Sequence, residues 1–351
     1  MNIRILNKDE FEHWDSFIAE VDGGTIYHTV SWLNLICKTY GCEPVIIAGE
    51  DECGKIVGGV SGVIVMSKFF GKRFSSVPSA QECSPLYQGA ADGLVTFLQK
   101  TKALLGHYGV STMEIRMGQE GSGLEKALSG KVEKKYCTYI LNLQKPFEVL
   151  LKDFHKDCIQ RTVKRALKKG LHVQEGEGVR DVAVFYALYE QMRKENGLLP
   201  QPKKYFENIW ELFRNKKQVE IFHALKNDAV VSSIMLLKFK DTCIYEYGAT
   251  LSKKKKLYAG IFLLWDAIRR ASEDGYTWFD FGRCSIENHS LRTFKKRWNA
   301  SFRQLYYYNS DGVNSGRNNN HLMEKIMYLI VRISPKLLNR WYSELIYKEL
   351  I

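Results

Sequence analysis

The sequence is poor in the features that would tie a chain to a metal, a disulfide framework or a bilayer core. Its eight cysteines, at positions 37, 42, 53, 83, 137, 158, 243 and 284, include no C-x-x-C pair, which argues against a zinc ribbon and a thioredoxin-type redox site. Scattered, unpaired cysteines fit a reducing compartment, where most serve as small buried hydrophobes. The eight histidines are equally dispersed, with no H-x-H and no H-E-x-x-H, so no structural or catalytic metal is expected. The opening MNIRILNKDEFEHWDSF lacks the apolar core of a signal peptide. The longest apolar run near the end, IMYLIV at 326–331, falls far short of the roughly 20 residues that span a bilayer. Together these absences predict a soluble, cytoplasmic protein.

What is present suits two domains: 351 residues, 45% of them hydrophobic, are long for one core and comfortable for two. Lys and Arg outnumber Asp and Glu by 51 to 39, for a formal net charge of +12, which favours a polyanionic or phosphate-bearing partner. The same balance, interleaved with Tyr and Trp, keeps open a non-catalytic RNA-binding protein.

Periodicity predicts helices over Lys8–Ile18 and Val30–Thr39, then a hairpin of PVIIAGE and IVGGVSGVIVM around the polar turn DECGK. A helix at Leu94–Leu105 leads past Gly109 into the strand STMEIRM. The second half repeats this order: strands VEIFHALKND, AVVSSIMLLKF and CIYEYGAT, a helix at Gly260–Ala271, Gly275, and the strand YTWFDFG. Aligned from Leu98 and Leu264, the two helix-to-strand passages share the leading Leu, the glycine eleven positions on, and an acidic residue, Glu114 against Asp280. This predicts two copies of one α+β unit. Between the halves Ile159, Val163, Ala166 and Leu167 share one helical face, which ends at Gly170. Arg161, Arg165 and Lys168 form a row on another, as a phosphate grip or a solvated surface. After Tyr308, NSDGVNSGRNNN reads as a loop, and the last thirty residues as two short basic helices broken at Ser334–Pro335. Trp341, Leu345 and Ile346 with Lys336, Arg340 and Lys348 suit either a membrane surface or packing against the first domain.

The densest signal is FDFGRCSIENHSLRTFKKRWNA, Phe279 to Ala300, where an apolar strand runs into a knot of cations. Arg283, Arg292, Lys295, Lys296 and Arg297 surround Phe294 and Trp298, and Arg303 follows. A buried strand that delivers its chain into such a cluster does so at the rim of a site, or the cluster is a solvated basic helix.

The order of motifs resembles the FemABX peptidyltransferases and their FemAB-like, GNAT-fold relatives over nearly the whole chain. It begins at YHTVSWLNLICKTYG, continues through IQRTVKRALKKGLHV and EYGAT, and ends in FDFG leading to FKKRW, the most specific pair. The resemblance implies an α+β fold of tandem GNAT-like domains, each a mixed sheet flanked by helices. Residues 1–146 form the first and 147–312 the second, with 313–351 a helical segment packing back on the first. It further implies transfer of an aminoacyl or acyl group to an amine of a peptidoglycan or polysaccharide precursor, with no permanently bound cofactor. On the same resemblance, aminoacyl-tRNA or acyl-CoA would be the donor co-substrate, and the acceptor would be a diphosphate-linked envelope precursor met at the inner membrane face. By position, Lys295 and Phe294 correspond to the reaction centre, and Arg161 and Lys38 to positions near the precursor's phosphates. A cation beside the tetrahedral intermediate would stabilise its oxyanion, and a lysine with the ordinary pKa of roughly 10.4 needs no activation for that role. Trp298 is a further candidate contact. Asp280 is a candidate base, a partner that orients Arg283, or a structural carboxylate. Two departures qualify the resemblance. The linker helices are too short for a coiled-coil arm. The Q/R-x-x-G-x-G/A loop that cradles the CoA pyrophosphate is replaced by KKKKLYAGIF, with Gly260 alone.

Overall fold

In the computed structural model, which describes residues 1–67, 71–89, 91–121, 130–310 and 328–350, the chain divides into two compact units. The first takes residues 1–137, the strand at 303–310 and residues 346–350; the second takes residues 138–302 and 328–345. The chain changes unit within a strand, β7 (Gly130–Asn142), so the boundary drawn from sequence at residue 146 lies slightly late. Cys137, Thr138 and Tyr139 are buried in succession, which erases the alternation by which a strand is recognised.

In the first unit, helices α1 (Phe11–Glu20), α2 (Val30–Tyr40) and α3 (Ala91–His107) accompany β1 (Asn2–Ile5), β2 (Glu43–Glu50), β3 (Ile56–Ser67), β4 (Gly71–Ser75), β5 (Leu86–Tyr87) and β6 (Thr112–Met117). The strand β14 (Ser301–Ser310) joins them from the far side of the sequence. Neighbours run β1-β2-β3-β4-β6-β14, with β5 beside β3. Only β4–β6 is parallel in that row. Val45, Ile47, Val60, Phe74, Phe97, Leu98, Met113 and Ile115 form its core.

The second unit repeats the plan. Its strands are β8 (His172–Gly176), β9 (Val219–Lys226), β10 (Ala229–Phe239), β11 (Thr242–Thr250), β12 (Trp278–Asp280) and the end of β7; a short β13 (Cys284–Ser285) follows β12. From β8 to β11 the pairings are antiparallel, β11–β12 is parallel, and β12–β7 is antiparallel, the same series as from β1 to β14. The duplication expected from sequence is therefore a duplication of sheet topology, and the α+β tandem holds. Its helices are α4 (Phe147–Asp153), α5 (Arg161–Lys168), α6 (Val179–Glu195), α7 (Lys203–Phe213), α8 (Ala259–Glu273) and α9 (His289–Lys296). The aligned glycines close α3 and α8: Gly109 has φ +73° and Gly275 φ +84°, with open space around both. Backbone conformation, not crowding, requires glycine there. Helices α6 and α8 pack on β9, β10 and β11, with Phe185 and Phe206 buried and the half-buried Tyr247 ring 5.0 Å from that of Phe206.

The C-terminal expectation needs correction. Residues 328–333 are helical, the chain breaks at Ser334–Pro335 as predicted, and α10 (Lys336–Leu350) follows. Residues 328–345 go with the second unit and only 346–350 with the first, because the Glu190 carboxylate on α6 is buried and takes the Arg340 guanidinium in a two-pronged ion pair. The Tyr328 ring also covers Gly197, where a Cβ would not fit. Beyond residue 310, the expected NSDGVNSGRNNN loop lies outside the described residues.

Candidate active site

The site begins where the second unit's parallel pair ends. Strands β11 and β12 are paired at only three positions, Thr242 with Trp278, Cys243 with Phe279 and Ile244 with Asp280. Past that point β11 continues through a bulge, since Met235 faces Tyr247 while Leu236 faces Tyr245, leaving Glu246 as the extra residue. Strand β12 turns away. Ligands of open α/β sheets bind at the carboxyl ends of parallel strands, where such a parting leaves room. In the first unit β4 and β6 also pair over three residues, but the chain bridges their ends itself. There Ser76 donates its N–H to the Glu114 carbonyl, Cys83 to the Arg116 carbonyl, and Arg116 Nη1 donates to the Ala80 carbonyl at 2.9 Å.

Gly282 is the pivot of the turn after β12. Its φ is +73°, and a Cβ would stand 2.8 Å from the Tyr245 carbonyl oxygen, so both conformation and space demand glycine. Its N–H donates to Asp280 Oδ1 at 2.8 Å, and the Thr138 hydroxyl donates to the same carboxylate oxygen. Its carbonyl, 3.0 Å from Thr138 Oγ1, accepts a hydrogen bond from the Lys295 ammonium.

Helix α9 delivers that lysine. Asn288 caps it by accepting from the Leu291 N–H at 3.1 Å. Leu291, Lys295 and Trp298 then recur at i, i+4 and i+7, which puts a lysine on the packed face. Lys295 is only 3% exposed. Trp298 is wholly buried against Phe154, Phe281 and Phe294, with ring centroids 5.3, 6.1 and 6.1 Å away. The His155 N–H donates to the Arg297 carbonyl at 2.8 Å and fastens the helix end.

Of the residues singled out in the sequence, Lys295, Phe294, Asp280 and Trp298 meet in this cluster. Phe294 is half-buried at its edge. Two roles change. Trp298, expected to contact substrate, has no exposed surface and acts as the post on which α9 is mounted. Asp280, 2% exposed, spends a carboxylate oxygen on Thr138 and Gly282, which makes it a positioning residue for the turn. Arg283 is exposed. Arg161 opens α5 directly after a π-helical turn, Lys156–Gln160, and is exposed and ion-paired with Asp157. Lys38 is exposed on the last turn of α2, in the first unit. Sequence reading missed Thr138, whose strand it did not recognise, and the pivotal role of Gly282. Arg292, named in the sequence only as one cation of the cluster, donates to the Ile286 carbonyl at 2.9 Å and lies over the Phe302 ring at 5.8 Å, bracing the start of α9.

Residues 157–296, from the π turn to just beyond Lys295, match the acetyltransferase (GNAT) domain family. Within the second unit, then, the chain carries a segment similar to GNAT acetyltransferase domains. The crystal structure of FemX superposes with a TM-score of 0.72 at 16% identity, covering 92% of this chain and all of that one. The C-terminal domain of a protein described as a lysylphosphatidylglycerol synthetase from Agrobacterium fabrum gives 0.57 at 12% identity, over 92% of this chain and 97% of that one. A tandem GNAT protein of the clavulanic acid biosynthesis pathway gives 0.53 at 9%, over 88% and 98%. At these identities the likeness is one of fold, and it is FemAB-like in architecture. No curated protein sequence matches the chain.

A CoA thioester would enter as a substrate, and the place to test its fit is the start of α8. Tyr258 precedes that helix in the left-handed conformation, φ +63°, and supplies no side-chain cap. The first-turn amides therefore have no cap from that side chain, as an anion site at a helix start requires. Gly260 is the one glycine in that turn, and a Cβ there would crowd Thr250 Oγ1 at 2.8 Å. Lys169 stiffens the approach by donating to the Lys256 carbonyl at 2.6 Å and lying 4.8 Å from the Tyr258 ring.

Proposed function

We propose that the protein transfers an aminoacyl or acyl group to an amino group of a cell-envelope precursor, with Lys295 stabilising the charge that develops on the carbonyl oxygen. The observation that carries this reading is the burial of the Lys295 ammonium on the Gly282 carbonyl, at the open end of the parallel strands. An ammonium has three N–H donors, so a carbonyl can fix its position while it faces a developing oxyanion. A cation held in place before reaction, away from bulk water, needs no reorganisation in the transition state.

In the reaction a neutral amine adds to the donor carbonyl and forms the new C–N bond. The tetrahedral intermediate then expels the ester oxygen of an aminoacyl-tRNA or the sulfur of an acyl-CoA. The proton lost by the amine ends on that leaving group. Phe294 at the edge of the cluster narrows water access, and Arg283, Arg161 and Lys38 are candidates for the acceptor's phosphates. The FemX likeness favours an aminoacyl donor and the GNAT match an acyl-CoA. RNA binding without catalysis rests on composition, the net charge of +12 and the basic residues interleaved with Tyr and Trp.

The test compares envelope precursors by mass spectrometry in cells with the wild-type chain, with Lys295→Met, and with neither. A mass increment of one acyl or aminoacyl group in the wild type alone is the expected result. Loss of one preorganised donor lowers the rate about 10²–10³-fold. An equal increment with a folded Lys295→Met protein would refute the role of the lysine. A thermal shift with CoA but not with charged tRNA, or the reverse, identifies the donor.

A further inference from the structure

Helix α10 is built inside out. The residues it turns inward are polar: Asn339, 2% exposed, donates to the Val331 carbonyl at 2.9 Å, and Ser343, fully buried, donates to the Asn339 carbonyl at 2.7 Å. The residues it turns outward are apolar, with Leu337 74% and Trp341 57% exposed, and Leu345 continuing the same i, i+4, i+8 line. Leu338 and Tyr342 widen the stripe, and Ile333, 80% exposed, extends it across the Ser334–Pro335 break. A water-facing amphipathic helix presents the reverse arrangement. The orientation is locked, because rolling the helix inward would pull Arg340 away from the buried Glu190 carboxylate.

We infer that this stripe is a docking surface for an anionic phospholipid bilayer. Arg332, Lys336 and Lys348 border it beside the ion-paired Arg340, and Glu344 is the only acidic residue among 328–348. That balance complements acidic headgroups. It also opposes self-association, since a two-fold contact through the stripe would bring like charges together. Trp341 and Tyr342 are the side chains that settle at the headgroup boundary, apolar rings with a polar tip. No described helix is long and apolar enough to cross a membrane, so the binding is peripheral. This inference stands on the helix alone and not on the acyltransferase mechanism.

The test floats the full chain with vesicles of phosphatidylcholine alone or of equal parts phosphatidylcholine and phosphatidylglycerol, at physiological salt. The wild type should bind the mixed vesicles at least about tenfold more tightly than the neutral ones. Leu337→Ser combined with Trp341→Ser should lose about tenfold or more of that binding with Tm unchanged, since both side chains are more than half exposed. Failure to float with the anionic vesicles, equal retention by neutral ones, or undiminished binding of the double variant each overturns the inference. So does a concentration-dependent dimer in sedimentation that the double variant abolishes, which would make the occupant a second copy.

Discussion

Replacing Gly282 with alanine tests the turn on which the site hangs, and Gly275 supplies the control within the same unit. Both glycines have positive φ, +73° and +84°, so alanine at either costs about 1–2 kcal/mol in backbone conformation. At Gly275 a Cβ meets nothing within 4 Å, and the conformational cost is the whole effect. At Gly282 the same atom would stand 2.8 Å from the Tyr245 carbonyl oxygen, which belongs to a strand and cannot swing aside. Overpacking of that kind adds about 1–3 kcal/mol. In a unit of this size each kcal/mol moves Tm by about 2–4 °C. Gly282→Ala should therefore melt about 4–8 °C below Gly275→Ala for an added cost of about 2 kcal/mol. Calorimetry measures the difference. A second readout follows the ammonium: with the carbonyl displaced, Lys295 should be modified by an amine-acylating reagent faster than in the wild type, as peptide mapping would show. Equal melting of the two variants, with Lys295 equally protected in both, would refute the account of the turn.

Thr138→Val removes the hydroxyl that donates to the buried Asp280 carboxylate and should cost about 1–3 kcal/mol in denaturant unfolding. An unchanged midpoint would mean that Asp280 is satisfied without it. Burial pushes the Cys83 thiol up to about 12, whereas Cys53 is exposed. Thiol titration at neutral pH should label Cys53 at once and Cys83 only on unfolding, and early labelling of Cys83 would contradict the packing around it. Hydrogen bonds from Arg4, then from the Asn7 N–H, hold the Glu10 carboxyl down at about 2. Because the folded value is the lower one, this contribution is present above the unfolded pKa near 4.3 and is lost as pH falls toward 2. Arg4→Ala should flatten the stability profile between those values, and an unaltered acid limb would exclude the pair as its source.

The duplicated order of elements was legible because it rests on local patterning. The hairpin strands, the α3 and α8 stretches and the aligned Gly109 and Gly275 each announce themselves within a short window. Strand β7 and Thr138 were not legible, since burial on both faces removes the period that marks a strand. Trp298 was misassigned for a related reason: an aromatic among cations looks the same in sequence whether it faces a ligand or a core.

The chain's own order thus determined the tandem α+β plan, the cation-rich helix after FDFG and the break before α10, all of them matters of neighbours along the backbone. Tertiary structure decided which cation of the cluster turns inward, because that depended on a carbonyl presented by Gly282 and a hydroxyl on a strand more than a hundred residues earlier. It decided too that α10 shows its apolar side to solvent, since the buried carboxylate that holds Arg340 lies on α6, far away in sequence. Local propensity can choose a helix. Only the desolvation of a distant partner fixes which face it must turn inward.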